Sequence, residues 1–447
     1  MALTGMDIFK LLPKTNCQDC GVATCLAFAM KLAAGQTELD ACPHLTKEVR
    51  EQLEEASAPA VRQIVIGTNE NALKIGGETV QFRHERTFVN KPALGVVVTD
   101  TMPENKIDAI MTRFRTLRYE RVGQILKPDI VAIRQVTGDT DRYLKIVRKI
   151  IEARIGALVL MSKNIESLAA AAAATASMRP LLYAAEADNL EDMHRLAITY
   201  SCPLVVKGNG IDATASLVGR LLAMKFKDIV IDTSPSSFAQ AFYDNVAVRR
   251  AAVVAKNRTV GFPTIVLPCD MADDPIQETL FAATFIAKYG GIILLSDLQG
   301  ERLFPLLVQR MNIYTDPQRP MTTSEGIYEI NSPDATSPVV ITSNFSLTYF
   351  IVSSEIETSR VPTWLLIKDT EGLSVLTAWA AGKFSADSIA PFVRRCGIEK
   401  KIDRKRLIIP GCVANISGEL EEELKDWEIH IGPREASALV PYLKNWI

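Results

Sequence analysis

The stretch Ala157–Ala184 contains the pattern that decides the fold. It opens on the apolar run ALVLM (Ala157–Met161), continues through the alanine-rich helical segment Leu168–Met178, and closes on a second apolar run, LLYA (Leu181–Ala184). Short apolar runs without polar alternation are typical of strands buried on both faces of a parallel sheet. The stretch therefore predicts one strand–helix–strand unit.

The same unit repeats through residues 60–320. The apolar runs are Leu94–Thr99, Ile130–Arg134, Ala157–Met161, Leu181–Ala184, Leu204–Val206, Ile229–Ile231, Ile265–Pro268 and Ile292–Leu295. Helical segments such as Lys106–Leu117, Asp141–Ile155, Ala213–Phe226 and Ile276–Lys288 separate them. This number of strand–helix units in about 230 residues fits a TIM (β/α)8 barrel. A doubly wound open sheet is the alternative, because a strand count made from sequence alone can be wrong by a strand or so.

Two further regions flank the predicted barrel. The segments Val61–Gly67, Ala72–Ile75 and Thr79–Arg83 predict a hairpin around Gly76-Gly77 that could plug the bottom of the barrel. Beyond the barrel, a small Rossmann-like domain is predicted by four runs that again alternate with helices, Val339–Thr342, Trp364–Ile367, Leu407–Ile409 and Glu428–Ile431. The prediction is an α/β multidomain protein divided at residues 1–57, 58–320 and 321–447.

Four cysteines near the N-terminus, Cys17, Cys20, Cys25 and Cys42, have the spacing C-x2-C-x4-C-x16-C. Four thiolates can hold a cubane cluster, and the short spacings let one loop supply three of them. Gly21 eases the tight wrap, and Cys25 opens an apolar helical run whose N-terminus favours the anionic thiolate–iron unit. A zinc site is the alternative, although Cys42 has no partner in its half of the motif except His44. The pattern predicts one [4Fe–4S] cluster.

The composition argues against several classes of protein. Hydrophobic residues make up 48% of the 447 residues and charged residues 23%, as in ordinary globular proteins. A net charge of −2, from 50 basic and 52 acidic residues, favours neither nucleic acid nor an anionic membrane as a partner. We find no signal peptide, no apolar stretch long enough to span a membrane and no disulfide framework among the eight cysteines, so we expect a cytoplasmic protein.

Three motifs together resemble a known family. They are Asn16–Gly21 with Cys25 and Cys42-Pro43, then Thr342–Tyr349, and then Asp369–Val375. With the predicted barrel between them, they are similar to the large (gamma) subunit of the corrinoid iron–sulfur protein of the acetyl-CoA decarbonylase/synthase complex. The resemblance covers essentially the whole chain. The cysteine pattern alone is less specific, because related redox proteins share it.

The resemblance implies a function and a set of partners. Members of the family act in the Wood–Ljungdahl pathway of carbon fixation in anaerobes. Their corrinoid cobalt(I) accepts a methyl group from methyltetrahydrofolate through a separate methyltransferase and passes it to the nickel centre of acetyl-CoA synthase. The [4Fe–4S] cluster, supplied with electrons by a donor such as ferredoxin, reduces cobalt(II) back to cobalt(I). The corrinoid lies between the C-terminal domain and a small TIM-barrel subunit, which implies a heterodimer that serves as a methyltransferase component.

The candidate corrinoid contacts lie where the predicted C-terminal strands end, because open α/β sheets bind ligands at that edge. They are Thr342, Ser343, Asn344, Phe345 and Ser346; Thr370, Glu371, Gly372 and Leu373; Gly411, Cys412 and Ala414; and Gly432, Pro433 and Arg434. Hydroxyls and backbone N–H groups can bind corrin amides, and helix N-termini can hold the nucleotide phosphate. The alternative is that these residues only cap helices and form turns.

No histidine is predicted to bind the cobalt. Corrinoid proteins that supply one use the motif Asp-x-His-x-x-Gly, and the nearest match, Asp192-Met193-His194, lacks the glycine and falls in the predicted barrel. The corrinoid is therefore expected to be base-off without a protein ligand. The reactive centre is then the cobalt itself, so no catalytic side chain is predicted.

Polar residues also follow the predicted barrel strands, at the face where such barrels bind substrates. They are Asp100, Gln135, Lys207-Gly208-Asn209, Asp232 and Asp270. They would be catalytic in a barrel methyltransferase with a structural cluster, which is one alternative function. An electron-transfer subunit without a corrinoid is the other. The interpretation favoured here is a scaffold surface, and the remaining cysteines, Cys202, Cys269 and Cys396, are predicted to be buried apolar residues.

Overall fold

The computed structural model describes residues 5–33, 36–121, 124–153, 155–316 and 321–446. It divides into two compact units. The first comprises Met1–Phe82, Phe88–Thr116 and Pro128–Ile313, and the second Arg83–Thr87, Leu117–Lys127 and Tyr314–Ile447. Residues 317–320, where the sequence predicted the second domain boundary, lie outside the described residues. None of the described helices is long and apolar enough to cross a membrane.

The first unit begins with helices α1 (Gly5–Leu11), α2 (Cys25–Ala33) and α3 (Lys47–Ser57). Their apolar faces meet in a small core around Ile8, Phe28 and Leu53, each at most 3% exposed. Helix α2 begins at Cys25, as its sequence predicted. A 3-10 turn, Leu39–Ala41, leads into Cys42, so the two cysteine segments are held on the same small core.

A hairpin follows, formed by β1 (Ile64–Ile66) and β2 (Leu73–Ile75), which pair antiparallel. The sequence placed the turn wrongly at Gly76-Gly77. The chain reverses between Gly67 and Ala72, where Gly67 has φ +84 and a Cβ would lie 2.3 Å from the Asn71 carbonyl oxygen. The predicted strand over Thr79–Arg83 was also wrong, because those described residues form no strand.

The hairpin plugs the bottom of the barrel, as predicted. Ile64, Ile66 and Ile75 are at most 1% exposed and pack among the inward-facing barrel residues. The Gly67 N–H donates to the Arg179 carbonyl at 2.9 Å, just before a barrel strand begins. The apolar hairpin therefore closes the N-terminal end of the barrel interior.

Eight parallel strands form a closed barrel, which confirms the predicted barrel and rules out the open sheet. In chain order they are β3 (Ala93–Thr99), β6 (Ile130–Arg134), β7 (Ala157–Met161), β8 (Leu181–Ala185), β9 (Leu204–Lys207), β10 (Ile229–Asp232), β11 (Thr264–Val266) and β12 (Gly290–Leu295), each paired with the next and β12 with β3. The helices that alternate with the barrel strands are α4 (Glu104–Thr116), α5 (Thr140–Glu152), α6 (Ile165–Ala174), α7 (Leu190–Thr199), α8 (Ile211–Ala223), α9 (Phe238–Val253), α10 (Pro275–Ala287) and α11 (Gly300–Ile313).

One strand differs from its predicted bounds for a physical reason. The sequence predicted a strand over Ile265–Pro268. Strand β11 instead ends at Val266, and Pro268 begins a 3-10 turn that reaches Asp270. Proline has no N–H for the strand ladder, so it ends the strand and starts the turn.

The second unit contains a five-stranded sheet of β13 (Gly326–Ile330), β14 (Val339–Ser343), β15 (Thr363–Lys368), β16 (Arg406–Ile409) and β17 (Glu428–Ile431). The spatial order is β13-β15-β14-β16-β17, and only the edge strand β13 runs antiparallel. The sequence missed β13. The short hairpin of β4 (Tyr119–Arg121) and β5 (Gln124–Leu126) belongs to this unit as well.

Helices cover both faces of this sheet. They are α12 (Ser346–Ser359), α13 (Val375–Ala380), α14 (Ala386–Cys396), α15 (Ser417–Glu423) and α16 (Leu439–Lys444). Ile341 packs with Ile389 of α14 on one face, and the neighbouring Val340 packs with Ile356 of α12 on the other. The connection from β14 leads to β15 on one side, and the connection from β16 leads to β17 on the other, so a crevice opens between the carboxyl ends of β14 and β16.

Candidate functional site

The four N-terminal cysteines converge in the first unit. Cys17 is exposed and Cys20 half-buried, whereas Cys25 and Cys42 are 8% and 6% exposed. The Asn16 side chain shapes the loop, since its Oδ1 accepts from the Cys25 N–H at 2.8 Å while the Asn16 N–H points at Cys25 Sγ, 3.4 Å away. The site is thus closed on the Cys25 and Cys42 side and open at Cys17.

The electrostatics of these cysteines suit a bound cationic group. Burial raises the pKa of Cys42, and the backbone N–H of His44 lowers it in part. The charges of Cys20, Cys17 and Cys25 raise the pKa of Cys42 further. Four thiolates so close together repel one another, and metal ions relieve that repulsion. An all-sulfur donor set fits an iron–sulfur cluster.

A hydrogen-bonded pair, Asp19 and His44, flanks the open edge of this site. His44 Nε2 lies 2.5 Å from Asp19 Oδ2, and both side chains are about half exposed, at 47% and 53%. The hydrogen bond to His44, and then one to Cys17, lowers the pKa of Asp19. Cys17, Asp19 and His44 each place a ligand atom within 4.8 Å of the others. The sequence considered His44 only as a zinc ligand and did not single out Asp19.

A cavity of about 240 Å³ opens at the carboxyl edge of the sheet in the second unit. Thr342, Cys412 and the run Gly432–Arg434 line it, all of them predicted corrinoid contacts. The other lining residues are Val340, Ile341, Thr348, Val352, Ser374, Val375, Leu376, Ile408, Ile409, Pro410, Ala436 and Leu439. The walls are mostly apolar with a few polar groups, as is usual for cofactor pockets.

Gly411 lies in close contact with the loop that contains Gly432, one of the residues lining the cavity. A Cβ on Gly411 would lie 2.4 Å from the Gly432 carbonyl oxygen and 2.9 Å from the Arg434 nitrogen. The Gly411 N–H donates to the Pro433 carbonyl at 3.1 Å. The two loops therefore touch through their backbones, which only glycine permits at position 411, while Ala414 lies half-buried in the 3-10 turn beyond it.

The predicted loops after β14 and β15 are joined to each other. The side-chain carbonyl of Asn344 accepts from the Thr370 N–H, the Thr370 hydroxyl and the Gly372 N–H at 3.0, 2.9 and 3.0 Å. Glu371 and Gly372 have φ of 56 and 78, so the chain makes a left-handed turn around this amide. Leu373 packs against the sheet core. Asn344, Thr370 and Gly372 thus support the edge and do not line the cavity.

The remaining predicted contacts in this region are buried hydroxyls and one aromatic ring. Ser343 and Ser346 are 0% and 4% exposed, and no hydrogen-bond partner is found for either hydroxyl among the described residues. Phe345 is half-buried and pairs with Thr322 in an isolated bridge.

The carboxyl end of the barrel holds a second cavity, of about 580 Å³. Four of its charged groups form two pairs: Arg134 binds Asp270 through two contacts of 2.8 Å, and Lys207 lies 3.6 Å from Glu186. Lys163 and Asp188 also line it. Asp232 is 4% exposed and accepts from the Tyr183 hydroxyl at 2.6 Å. Burial raises the pKa of Asp232.

Asp100, Gln135 and Gly208, which were also predicted at this end of the barrel, have structural partners, whereas Asn209 is exposed. Asp100 accepts from the backbone N–H groups of Val136 and Thr137, and Gln135 bonds Ser162 and Ser167. Gly208 donates its N–H to the Asp232 carbonyl. Internal pairing of this kind fits the scaffold interpretation.

Comparisons with known proteins decide the family. A family model described as "CO dehydrogenase/acetyl-CoA synthase delta subunit" matches residues 63–443, and one described as "Putative Fe-S cluster" matches residues 12–44. The corrinoid/iron-sulfur protein large subunit of Moorella thermoacetica is 40% identical, covering 99% of both chains. This chain belongs to the family of corrinoid iron–sulfur protein large subunits. The acetyl-CoA decarbonylase/synthase complex subunit gamma of Methanothermobacter thermautotrophicus is 35% identical, again over 99% of both chains.

Solved structures add little to this assignment. Dihydropteroate synthase from Thermus thermophilus matches with a TM-score of 0.39 and 15% identity, covering 56% of this chain and 100% of that one. Family membership confirms the recognition made from the motifs. It makes the chain a corrinoid iron–sulfur protein large subunit, with a segment that matches an iron–sulfur family model and an eight-stranded barrel.

Two of the four histidines of this large-subunit chain make aromatic contacts within their own units. His194 packs on Phe226 beside the barrel helix α7, and His430 contacts Trp446 edge-on and lies 3.1 Å from Glu428. No histidine is among the described lining residues of the cavity. Cys412 does line it, and burial raises the pKa of its thiol, which favours the neutral form.

The sequence missed most of the apolar wall of this cavity. Thr348 and Val352 come from α12, Leu376 from α13, and Ala436 and Leu439 from the segment that leads into α16. A signal was present, since Thr348 lies in one of the two C-terminal family motifs. The apolar members could not be told from core residues, because they have the same periodicity as any buried helix face.

Proposed function

We propose that this chain is a methyl-group carrier, with a corrinoid bound at the carboxyl edge of the second unit's sheet and a [4Fe–4S] cluster on Cys17, Cys20, Cys25 and Cys42. The observation that carries the proposal is the cavity at that edge, lined by Thr342, Cys412 and Gly432–Arg434. It lies at the end of β14, where connections diverge and open α/β sheets bind their ligands.

The chain's own residues hold, orient and shield the corrinoid. The apolar wall from Val352, Leu376 and Leu439 would cover the macrocycle and exclude water, and the exposed Arg434 at the cavity edge would offer a cation to the nucleotide phosphate. No histidine is among the described lining residues of the cavity, and we propose a base-off corrinoid without a protein histidine as ligand. When bound, the corrinoid supplies the cobalt on which methyl transfer takes place, and the cluster supplies electrons that restore its reduced state.

The domain division proposed is 1–57 for the cluster, 58–320 for the barrel with its hairpin, and 321–447 for a Rossmann-like corrinoid domain. The strand order and the helices on both faces support the last assignment. The hairpin of β4 and β5 would serve the same domain, since Arg121 lies 5.1 Å from the Phe350 ring of α12.

The proposed partners are a small TIM-barrel subunit in a heterodimer, a methyltetrahydrofolate methyltransferase, acetyl-CoA synthase and a ferredoxin-type donor, all in the cytoplasm. Exposed apolar side chains beside the cavity support a covering subunit. Leu347 and Ile351 of α12 are 57% and 45% exposed, and Leu376 and Trp379 of α13 are 50% and 40% exposed. Such a patch is costly in water unless a partner covers it.

The test is to measure iron and cobalt together, with an absorbance spectrum, on protein purified without oxygen alongside its natural partner. We expect about four irons and one cobalt per heterodimer, with the spectrum of a corrin. Four irons without cobalt would overturn the carrier proposal and leave an electron-transfer subunit. Turnover of methyltetrahydrofolate by this chain alone would instead support a barrel methyltransferase, which the internally paired charges at the barrel mouth disfavour.

A further inference from the structure

The two segments that hold the cysteines are joined at the open edge of the cluster site. Cys17, Cys20 and Cys25 come from one segment, and Cys42 comes from a second one that follows α2. Asp19 lies in the first and His44 in the second, and their side chains meet at 2.5 Å. This contact therefore spans the gap that a cluster must bridge.

The location of the Asp19–His44 pair distinguishes it from other polar pairs on the surface. Cys25 and Cys42 are buried, so a cluster bound here would be shielded on their side and exposed at Cys17. Cys17 Sγ, the Asp19 carboxylate and the His44 ring lie within 4.8 Å of one another at that exposed edge. Charges and hydrogen-bond donors this close to a cluster sulfur set the reduction potential.

We infer that Asp19 and His44 are positioning residues for the cluster: together they hold the Cys17 and Cys42 segments in register and set the charge at the edge where electrons enter. The inference rests on the proposed [4Fe–4S] cluster. The Asp19 carboxylate places a negative charge beside Cys17, and the His44 N–H faces that carboxylate and limits its effect on the cluster.

The pair has two separable effects, which three variants distinguish. Asp19→Asn removes the negative charge but keeps an acceptor for His44, so the midpoint potential should rise while the cluster stays bound. His44→Ala leaves the carboxylate without its donor and frees the Cys42 segment, so the potential should fall and the cluster should be lost faster. The double variant Asp19→Asn with His44→Gln keeps a neutral hydrogen bond across the segments, so it should retain the cluster.

The measurements are the midpoint potential from an EPR-monitored redox titration, and the rate of iron release to a chelator, on the full chain with its partner. Asp7→Asn is the matched control, because it makes the same charge change in an ion pair with Lys10 inside a single helix, α1. We expect the His44→Ala rate of iron release to exceed that of the control several-fold, and the Asp19→Asn potential to exceed the control's.

The outcomes separate the two levels of inference. If the wild-type protein holds a cluster and all variants match the control in potential and iron release, the positioning role is wrong. If the wild-type protein shows no iron and no EPR signal, the proposed cluster itself fails. If only the potential shifts while iron release is unchanged, the mechanical part of the inference is overturned.

Discussion

Asn344 receives two hydrogen bonds from Thr370: its side-chain oxygen accepts from the Thr370 N–H at 3.0 Å and from the Thr370 hydroxyl at 2.9 Å. The two residues follow neighbouring strands, β14 and β15, and both are buried. The contact joins the two family motifs in the C-terminal part of the chain into one structural element at the carboxyl edge of the sheet.

Removing this amide should loosen that edge. Asn344→Ala leaves the Thr370 and Gly372 N–H groups without their acceptor, while the Thr370 hydroxyl keeps the Leu373 carbonyl at 2.8 Å. We expect a loss of about 2–4 kcal/mol in the free energy of unfolding, with weaker corrinoid retention. Asn344→Asp keeps the acceptor but puts a carboxylate where the Asn344 amide now donates to Asp369 at 2.8 Å, so its loss should be intermediate. Urea denaturation and cobalt content check both, and equal stability of Asn344→Ala and wild type would contradict the structural role.

Filling the sheet cavity should displace its ligand without unfolding the domain. Cys412 is half-buried in the wall of a cavity of about 240 Å³. Cys412→Leu should weaken corrinoid binding by about 5- to 100-fold, the equivalent of about 1–3 kcal/mol of overpacking. Cobalt content after gel filtration measures the effect. Cys412→Ala, which only enlarges the cavity, is the control and should keep its cobalt; loss from both variants would point to a different role for the thiol.

The buried cysteines should matter most for holding the cluster. Cys25→Ser or Cys42→Ser removes a shielded ligand, and we expect the iron content to fall to less than about half that of the wild type. Cys202→Ser, at a buried cysteine of the barrel unit, should retain its iron. Iron and sulfide analysis of anaerobic preparations decides the point, and full iron in both ligand variants would mean that the site is not held by these thiolates.

The stability of the second unit should depend on pH through the carboxyl group of Glu325. Burial opposes its charged form, but hydrogen bonds from Lys368, the Asp369 N–H and Arg395 outweigh burial and lower the pKa of Glu325 to about 2. The folded pKa lies below the unfolded value, so the stabilisation is present above about pH 4.5 and is lost as the pH falls toward about 2.

Glu325→Gln should therefore cost about 1–2 kcal/mol at neutral pH, with allowance for partial exposure of the side chain, and less as the solution is acidified below pH 4.5. Urea midpoints at pH 7 and pH 4 measure the difference. Glu329→Gln, in a more exposed pair with Lys401, is the control and should change stability by less than about 0.5 kcal/mol. A stability difference between Glu325→Gln and the wild type that grows on acidification would contradict the lowered pKa of Glu325.

The contribution of Asp232 to stability should depend on pH in the opposite direction to that of Glu325. Burial raises the pKa of the Asp232 carboxyl in the folded state. Above this folded pKa the buried charge lowers the free energy of unfolding. This loss of stability disappears as the pH falls toward the pKa of the unfolded state. Asp232→Asn keeps an acceptor for Tyr183, and we expect it to be neutral or to stabilise the protein by up to about 1 kcal/mol at neutral pH. Unchanged methyl transfer would support a scaffold role for the barrel mouth, whereas lost transfer with intact stability would assign it a function.

Long apolar runs could be predicted from sequence because the signal is local. The run Ala157–Met161 became β7 with the same bounds, and Ile130–Arg134 became β6. The less regular segments were harder. Strand β13 was missed because an edge strand such as Gly326–Ile330 is only half-buried and alternates weakly, and the hairpin turn was misplaced because two neighbouring glycine sites, Gly67 and Gly76-Gly77, both accept positive φ.

The sequence by itself determined the barrel, the four cysteines and the family, because apolar periodicity, cysteine spacing and contiguous motifs are all local features of the chain. Only the tertiary structure decided that Asp19 meets His44, that Asn344 holds Thr370, and that Cys412 lines a cavity while Ser343 does not. These relations join residues from separate segments. Their partners are chosen by packing, which brings distant parts of the chain within hydrogen-bond distance and leaves no mark in the local pattern.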